Sequence, residues 1–278
     1  MDASPHCSPP KAVNELVEYL SGLQAGSLET RDGKPFLHEY RGELSLHFDP
    51  QTIQSRMWRH APDELLLDYT RAMMSFLLFH PAPARIAMIG LGGGSMAKHC
   101  LRTLPAVDFT AIEISPEVIA FRSEFAIPAD SERFRVICGD GADYVKDAAI
   151  RMDALIVDGF DASGQPPQLC SQDFYDLCHA RLSETGVLVT NLWRGDVTYG
   201  ACISRLQNSF GNQVVSVSSE DPENRIVFAC KGPEFPPRER EFLRRARELN
   251  DVHRINFIPT AVAILHRLRK RAGKQSGK

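Results

Sequence analysis

The 278-residue chain predicts a doubly wound α/β fold, a mostly parallel sheet with helices on both faces, closed by an antiparallel hairpin and preceded by a small β-rich cap. Three observations carry this expectation. Short continuous apolar runs recur at 86–89, 109–114, 134–138, 154–157 and 187–190 with helical stretches between them, as in strands buried on both faces of a parallel sheet. A glycine cluster follows the first run directly. The last two runs, 214–217 and 226–230, are separated only by 218–225, too short for a helical crossover, so they pair antiparallel.

The elements follow in chain order. Residues 1–26 read as a disordered lead with Pro5, Pro9 and Pro10, then a short amphipathic helix with Val13, Leu16, Val17 and Leu20 on one face and Gly22 near its end. Residues 27–83 form the cap and a linking helix. Asp32-Gly33 signals a turn, and 36–40 and 44–48 read as short strands. A helix is expected over 64–79, with Leu65, Leu66, Tyr69, Met73 and Leu77 as its apolar stripe, stopping at Pro81 and Pro83. Residues 84–232 make the main domain. Residues 233–278 add two helices, around 240–249 and 261–270, and a basic tail.

Composition narrows the function classes. A net charge of −3 argues against general nucleic-acid or membrane-surface binding, and the locally basic stretch 267–278 reads as a solvated helix end. The seven cysteines show no C-x-x-C pair and no metal-ligand spacing, so they read as small buried hydrophobes in a reducing compartment. No basic start precedes an apolar run, and no stretch approaches the length of a membrane span. A cytoplasmic protein without a metal site is expected.

Four sites at successive strand ends carry the chemistry. Gly90, Gly92, Gly93 and Gly94 follow the first strand and precede a helix, where glycine lets the backbone turn and approach a ligand. Glu113 ends the next strand roughly 20 residues on, placed to bond ribose hydroxyls, with helix capping as the plain alternative. Asp140-Gly141 follows the third strand; the carboxylate can accept from an adenine amine or cap a turn. Asp158 and Asp161 leave the fourth strand, where two carboxylates attract a cationic substrate and can take a proton from an amine. Five parallel strands plus a terminal hairpin fit class I S-adenosylmethionine-binding domains better than NAD-binding ones. His80, His99, Trp58, Trp193, Cys170 and Cys178 read as packing residues, and Ser163-Gly164 offers no nucleophile elbow.

The run from Pro83 to Trp193 resembles the spermidine synthases, the polyamine aminopropyltransferases, especially their divergent bacterial relatives. The resemblance implies that Glu113 binds ribose, Asp140-Gly141 forms the adenine site, Asp158 accepts the proton and Asp161 is the second acid of a D-x-x-D loop. Pro166 is similar to the proline that follows that loop, and Phe174-Tyr175 to the aromatic pair opening the next helix. Gln54-Ser55 and Asp68-Tyr69 are similar to the substrate-cap segments, so Gln54, Tyr69 and Pro166 join Asp161 as expected substrate contacts. Two departures stand out. The family's glycine loop ends in an aspartate that binds the donor's amine, where this chain has Ser95. The family's Tyr-His-Glu segment reads Tyr69-Thr70-Arg71. Losing an anionic partner costs a cation about 1.5–3 kcal/mol, and bare loop N–H groups suit the carboxylate of intact S-adenosylmethionine. The expected reaction is aminopropyl transfer from decarboxylated S-adenosylmethionine to putrescine or a related amine, in a homodimer, with no cofactor beyond this co-substrate. The alternatives are a methyltransferase of the same fold and a non-catalytic nucleoside- or polyamine-binding homologue.

Overall fold

The computed structural model describes residues 34–50, 52–160, 164–233 and 235–275. The helix expected within 1–26, the Asp32-Gly33 turn and Asp161 lie outside them.

The cap is a three-stranded antiparallel meander of β1 (Phe36–Tyr40), β2 (Glu43–Asp49) and β3 (Thr52–Trp58). Arg41 and Gly42 both take positive φ, the two-residue turn whose twist suits a hairpin. The third strand was not expected from sequence, because Thr52, Gln54, Ser55 and Arg56 dilute its apolar signal. Its Met57 is nonetheless buried, and the cap is pinned to the main domain beneath it. The Lys98 ammonium donates to Phe125 O at 2.6 Å and lies 3.2 Å from Met57 Sδ, while Arg59 donates to Glu124 O. Burial pulls Lys98 down to about 8.

The helix expected over 64–79 is shorter and broken. Helix α1 spans Asp68–Met73, and a 3₁₀ turn continues over Met74–Leu78. It starts late because Arg71 Nη1 takes the carbonyls of Leu65 and Leu66, each at 2.8 Å. Those acceptors would otherwise serve amides one turn on.

The main sheet has the strand order β6-β5-β4-β7-β8-β10-β9. Strands β4 (Arg85–Ile89), β5 (Asp108–Glu113), β6 (Phe134–Cys138), β7 (Met152–Val157) and β8 (Leu182–Trp193) are parallel. The hairpin of β9 (Val214–Ser218) and β10 (Asn224–Cys230) closes the sheet antiparallel, as expected, with β10 inserted between β8 and β9. Strand β8 runs longer than the 187–190 expected, because β10 pairs with it from Val187 to Trp193 and Leu182 pairs with Met152.

Side chains alternate between the two faces of the sheet. Met88, Ala111, Ile156 and Val189 pack toward α2 (Ser95–Thr103) and the C-terminal helices. Ile89, Ile112, Leu155 and Leu188 pack toward α5 (Gln172–Arg181) and α6 (Tyr199–Phe210). Two further short helices, α3 (Pro116–Ala120) and α4 (Gly141–Tyr144), follow β5 and β6. Helices α7 (Glu239–His253) and α8 (Ile258–Gln275) are longer than expected and share the domain's core. Phe242, Ala246, Leu249 and His253 give α7 a buried stripe, with Phe242 5.2 Å from the Phe79 ring. Two residues of the basic end are paired within the fold: Arg269 with Glu239, and Arg271 with Asn212 and Val214.

Candidate active site

The strand order reverses between β4 and β7, and in open parallel sheets that switch point opens a crevice at the strands' carboxyl ends. A cleft with a cavity volume of about 180 Å³ occupies it. Gly90, Gly92, Glu113, Asp140, Gly141, Asp158, Gln54, Tyr69 and Pro166 all line this cleft.

The glycine loop runs from β4 into α2. Gly90 has φ +91°, and a Cβ there would lie 2.3 Å from the carbonyl oxygen of Asp158. The two strand ends that flank the switch therefore touch only because residue 90 lacks a side chain. Gly93 and Gly94 do not line the cleft. A Cβ on them would strike Phe125 at 2.7 Å and Ile127 at 2.6 Å, so they serve packing of the protein on itself. Part of the loop's donor set is already in use. The amide of Gly90 donates to Ile112 O, that of Leu91 to Glu113 Oε2, and that of Gly94 to Leu91 O.

Glu113 is buried at the end of β5. Its Oε2 accepts from Leu91 N–H at 2.8 Å and its Oε1 from Ser115 N–H at 3.0 Å. Both oxygens are thus aimed by backbone, and each keeps a lone pair for a diol. Asp140 does two things at once. Its Oδ1 caps α4 by accepting from Ala142 N–H at 2.7 Å, and its Oδ2 lies 3.4 Å from Gln168 Nε2 in the cleft wall. Gly141 lets α4 close on Ile89, which a Cβ would meet at 2.3 Å.

Asp158 leaves the buried end of β7, its amide held by Ile89 O at 2.9 Å. Its Oδ1 accepts from Asn191 Nδ2 at 3.2 Å, and the Tyr69 hydroxyl, on the same cleft, interacts with the carboxylate. Burial pushes Asp158 up to about 6, against the opposing pull of these two donors. Burial first, and then the Asp158 charge, raise the Tyr69 phenol well above its ordinary value, so it stays a donor.

Asn191, on β8, was missed from sequence. Its signal is a polar pair, Thr190 and Asn191, within an apolar strand, both buried. Gln168, Ser55, Ser95 and Phe160, which also line the cleft, were not singled out as ligand contacts either. The substituted cap residues part ways. Thr70 lines the cleft, whereas Arg71 turns out of it to Leu65, Leu66 and Glu220. Phe174 and Tyr175 are buried in the core, outside the cleft. His99 lies buried against His253, away from the cleft, and Trp193 is half-exposed.

The cleft's charge is one-sided. Glu113, Asp140 and Asp158 line it, and among the described residues no Lys, Arg or His does. No cluster of metal-ligating side chains occurs among the described residues.

Residues 67–215 match the spermine/spermidine synthase domain. A polyamine aminopropyltransferase of Chromobacterium violaceum is 39% identical over 214 residues, covering 77% of this chain and 82% of its own. A probable spermidine synthase from Corynebacterium glutamicum superposes with a TM-score of 0.63 at 17% identity, over 76% of this chain and 83% of the other. Human methyltransferase-like protein 13 in complex with SAH gives 0.61 at 23% identity, over 68% and 93%. These two structures share the fold, and the fold is common to both activities.

Proposed function

The chain belongs to the spermine/spermidine synthase family, and from that premise we propose that it is a polyamine aminopropyltransferase taking its aminopropyl group from decarboxylated S-adenosylmethionine. The observation that carries the donor is the cleft's charge. Acids line it and no described cation does, which favours a donor bearing sulfonium and ammonium over one that adds a carboxylate. The amides of Gly90, Leu91 and Gly94 are already spent, which weakens the case for a carboxylate held by the loop.

In this reading Glu113 holds the ribose hydroxyls and Asp140 the adenine amine. The acceptor amine, putrescine or a close relative, enters under the cap beside Gln54, Tyr69 and Pro166. Its nitrogen attacks the carbon next to the sulfonium; the C–N bond forms, the C–S bond breaks and methylthioadenosine leaves. Asp158, ionised at neutral pH with a value near 6, takes the proton the nitrogen sheds. Asp161 remains the proposed grip on the distal ammonium. Catalysis rests on positioning two cations against fixed carboxylates, and the reaction calls for no cofactor beyond the donor.

Among the described residues no helix is long and apolar enough to cross a membrane. A cytoplasmic setting, a homodimer and the absence of a nucleic-acid partner complete the proposal; the net charge of −3 and the internal pairing of Arg269 and Arg271 support the last.

The test supplies putrescine with either decarboxylated or intact S-adenosylmethionine and follows methylthioadenosine and polyamine products by chromatography. Spermidine from the decarboxylated donor is expected. At least tenfold tighter binding of the intact donor, with S-adenosylhomocysteine as product, would replace aminopropyl by methyl transfer.

A further inference from the structure

The hydroxyl that steadies Asp158 belongs to Tyr69, on a helix of six residues with no side-chain cap at its start. Such a short helix holds its place by what anchors it. The residue before Tyr69 is tied to a distant part of the chain. Asp68 Oδ2 accepts from the amide of Asp221 at 3.1 Å, and the Ser219 hydroxyl braces the same turn by donating to Asp221 O at 2.9 Å. Ser219 and Asp221 belong to the turn between β9 and β10. One helical turn's neighbour, Arg71, pairs with Glu220 of the same turn at 3.8 Å.

We infer that Asp68 is a positioning residue, clamping α1 to the β9–β10 turn so that the Tyr69 hydroxyl stays on Asp158. The inference rests on Asp158 being the base of the proposed reaction. Among the described residues, the groups bonded to Asp158 are Tyr69 from α1 and Asn191 from β8. The Tyr69 phenol senses Asp158 and Asp68. Asp68 itself meets the amide of Asp221 in the turn.

The clamp and a mere charge effect have opposite signs. Deleting the negative charge of Asp68 would, through space, ease ionisation of Asp158 and lower its value. Releasing α1 withdraws the Tyr69 hydrogen bond, which favours the ionised form, and so raises it.

The experiment reads the Asp158 titration without substrate. The stability difference between Asp158→Asn and its parent is followed against pH by urea unfolding, in wild-type, Asp68→Ala, Asp68→Asn and Tyr69→Phe backgrounds. Asp68→Ala is expected to raise the midpoint by about half a unit or more, as Tyr69→Phe does, and the two together should add little. Asp68→Asn keeps an acceptor for the turn and should stay near wild type. Ser219→Ala removes the brace on Asp221 and so loosens the turn that Asp68 holds; it should move the midpoint the same way by less, and it decides the matter should Asp68→Ala not fold. An unchanged or lowered midpoint in Asp68→Ala, or in Ser219→Ala where that variant decides, overturns the inference. Steady-state turnover is measured in parallel, with the acid limb of kcat expected to follow the midpoint. A wild type without aminopropyl transfer but with the expected titration would overturn the reaction, not the clamp.

Discussion

Asp158 is held in a state that suits proton transfer and harms folding. A carboxyl whose folded value, about 6, exceeds its ordinary 3.8 binds more protons folded than unfolded between those values. Its contribution to stability is therefore greatest at low pH and is lost as pH rises through 6. At neutral pH the ionised group costs up to about 3 kcal/mol. Asp158→Asn should accordingly abolish most turnover while raising the unfolding midpoint at pH 7.5. Calorimetry and steady-state kinetics check both, and a variant that is inactive and also less stable would assign Asp158 a structural role. Wild-type kcat should fall below about pH 6, and raising the pH should partly rescue Asp158→Asn by supplying neutral amine. Glu113 makes a complementary case. Its two oxygens are aimed by Leu91 and Ser115, so Glu113→Gln turns an acceptor into a donor facing an amide. Methylthioadenosine affinity should drop at least tenfold by calorimetry; unchanged affinity would put the ribose elsewhere. At this scale the place of Glu113, Asp140 and Asp158 on the cleft was legible from position alone, because each lies at or just beyond the end of a recognisable strand. Asn191 was not, since nothing in one sequence tells a buried asparagine facing a carboxylate from one facing a backbone.

The glycine loop shows how far an element can be read from its letters. Its place after β4 and its cleft-lining Gly90 and Gly92 were legible. That Gly93 and Gly94 instead make room for Phe125 and Ile127 was not, because those partners arrive from a segment far along the chain. Among these positions Gly90 is the most constrained. Its φ of +91° strains any side chain, and the atom a Cβ would meet is backbone, which cannot swing aside. Gly90→Ala should push the Asp158 carbonyl away, with turnover falling about a hundredfold and several degrees lost in Tm. Normal turnover in this variant would mean that the β4–β7 contact does not set the place of Asp158. The linking helix failed as a prediction for a related reason. Its stripe from Leu65 to Leu77 is real, but Arg71 takes the carbonyls that would have propagated the helix from residue 64. Periodicity registers which faces are apolar and is blind to a side chain competing for backbone acceptors.

The whole molecule is joined by contacts that no local pattern announces. The parallel sheet and terminal hairpin were legible because apolar runs and the short gap between 217 and 226 are one-dimensional features. The docking of α7 onto α2 was not. At that junction His99 Nε2 lies 3.3 Å from His253 Nδ1, both rings buried, with Arg102 against them and Asp63 bonded to Arg102. Burial lowers both histidines to about 4, with mutual repulsion and Arg102 adding to His99, and Arg102 to His253. A histidine with a depressed value binds fewer protons folded than unfolded, so stability is full above 6.5 and is lost as pH falls toward 4. The loss should reach at least about 3 kcal/mol. Asp158 pulls the other way between 3.8 and 6, so the measurement belongs in the Asp158→Asn background, where that opposing titration is gone. Urea unfolding from pH 7 to 4 should there show a steep acid loss that flattens near the histidines' folded values. His253→Leu, which keeps the apolar contact with Phe257 and removes one titrating ring, should lose less over the same window. Equal slopes in the two proteins would mean that the acid sensitivity arises elsewhere and that the seam between α2 and α7 is electrostatically silent.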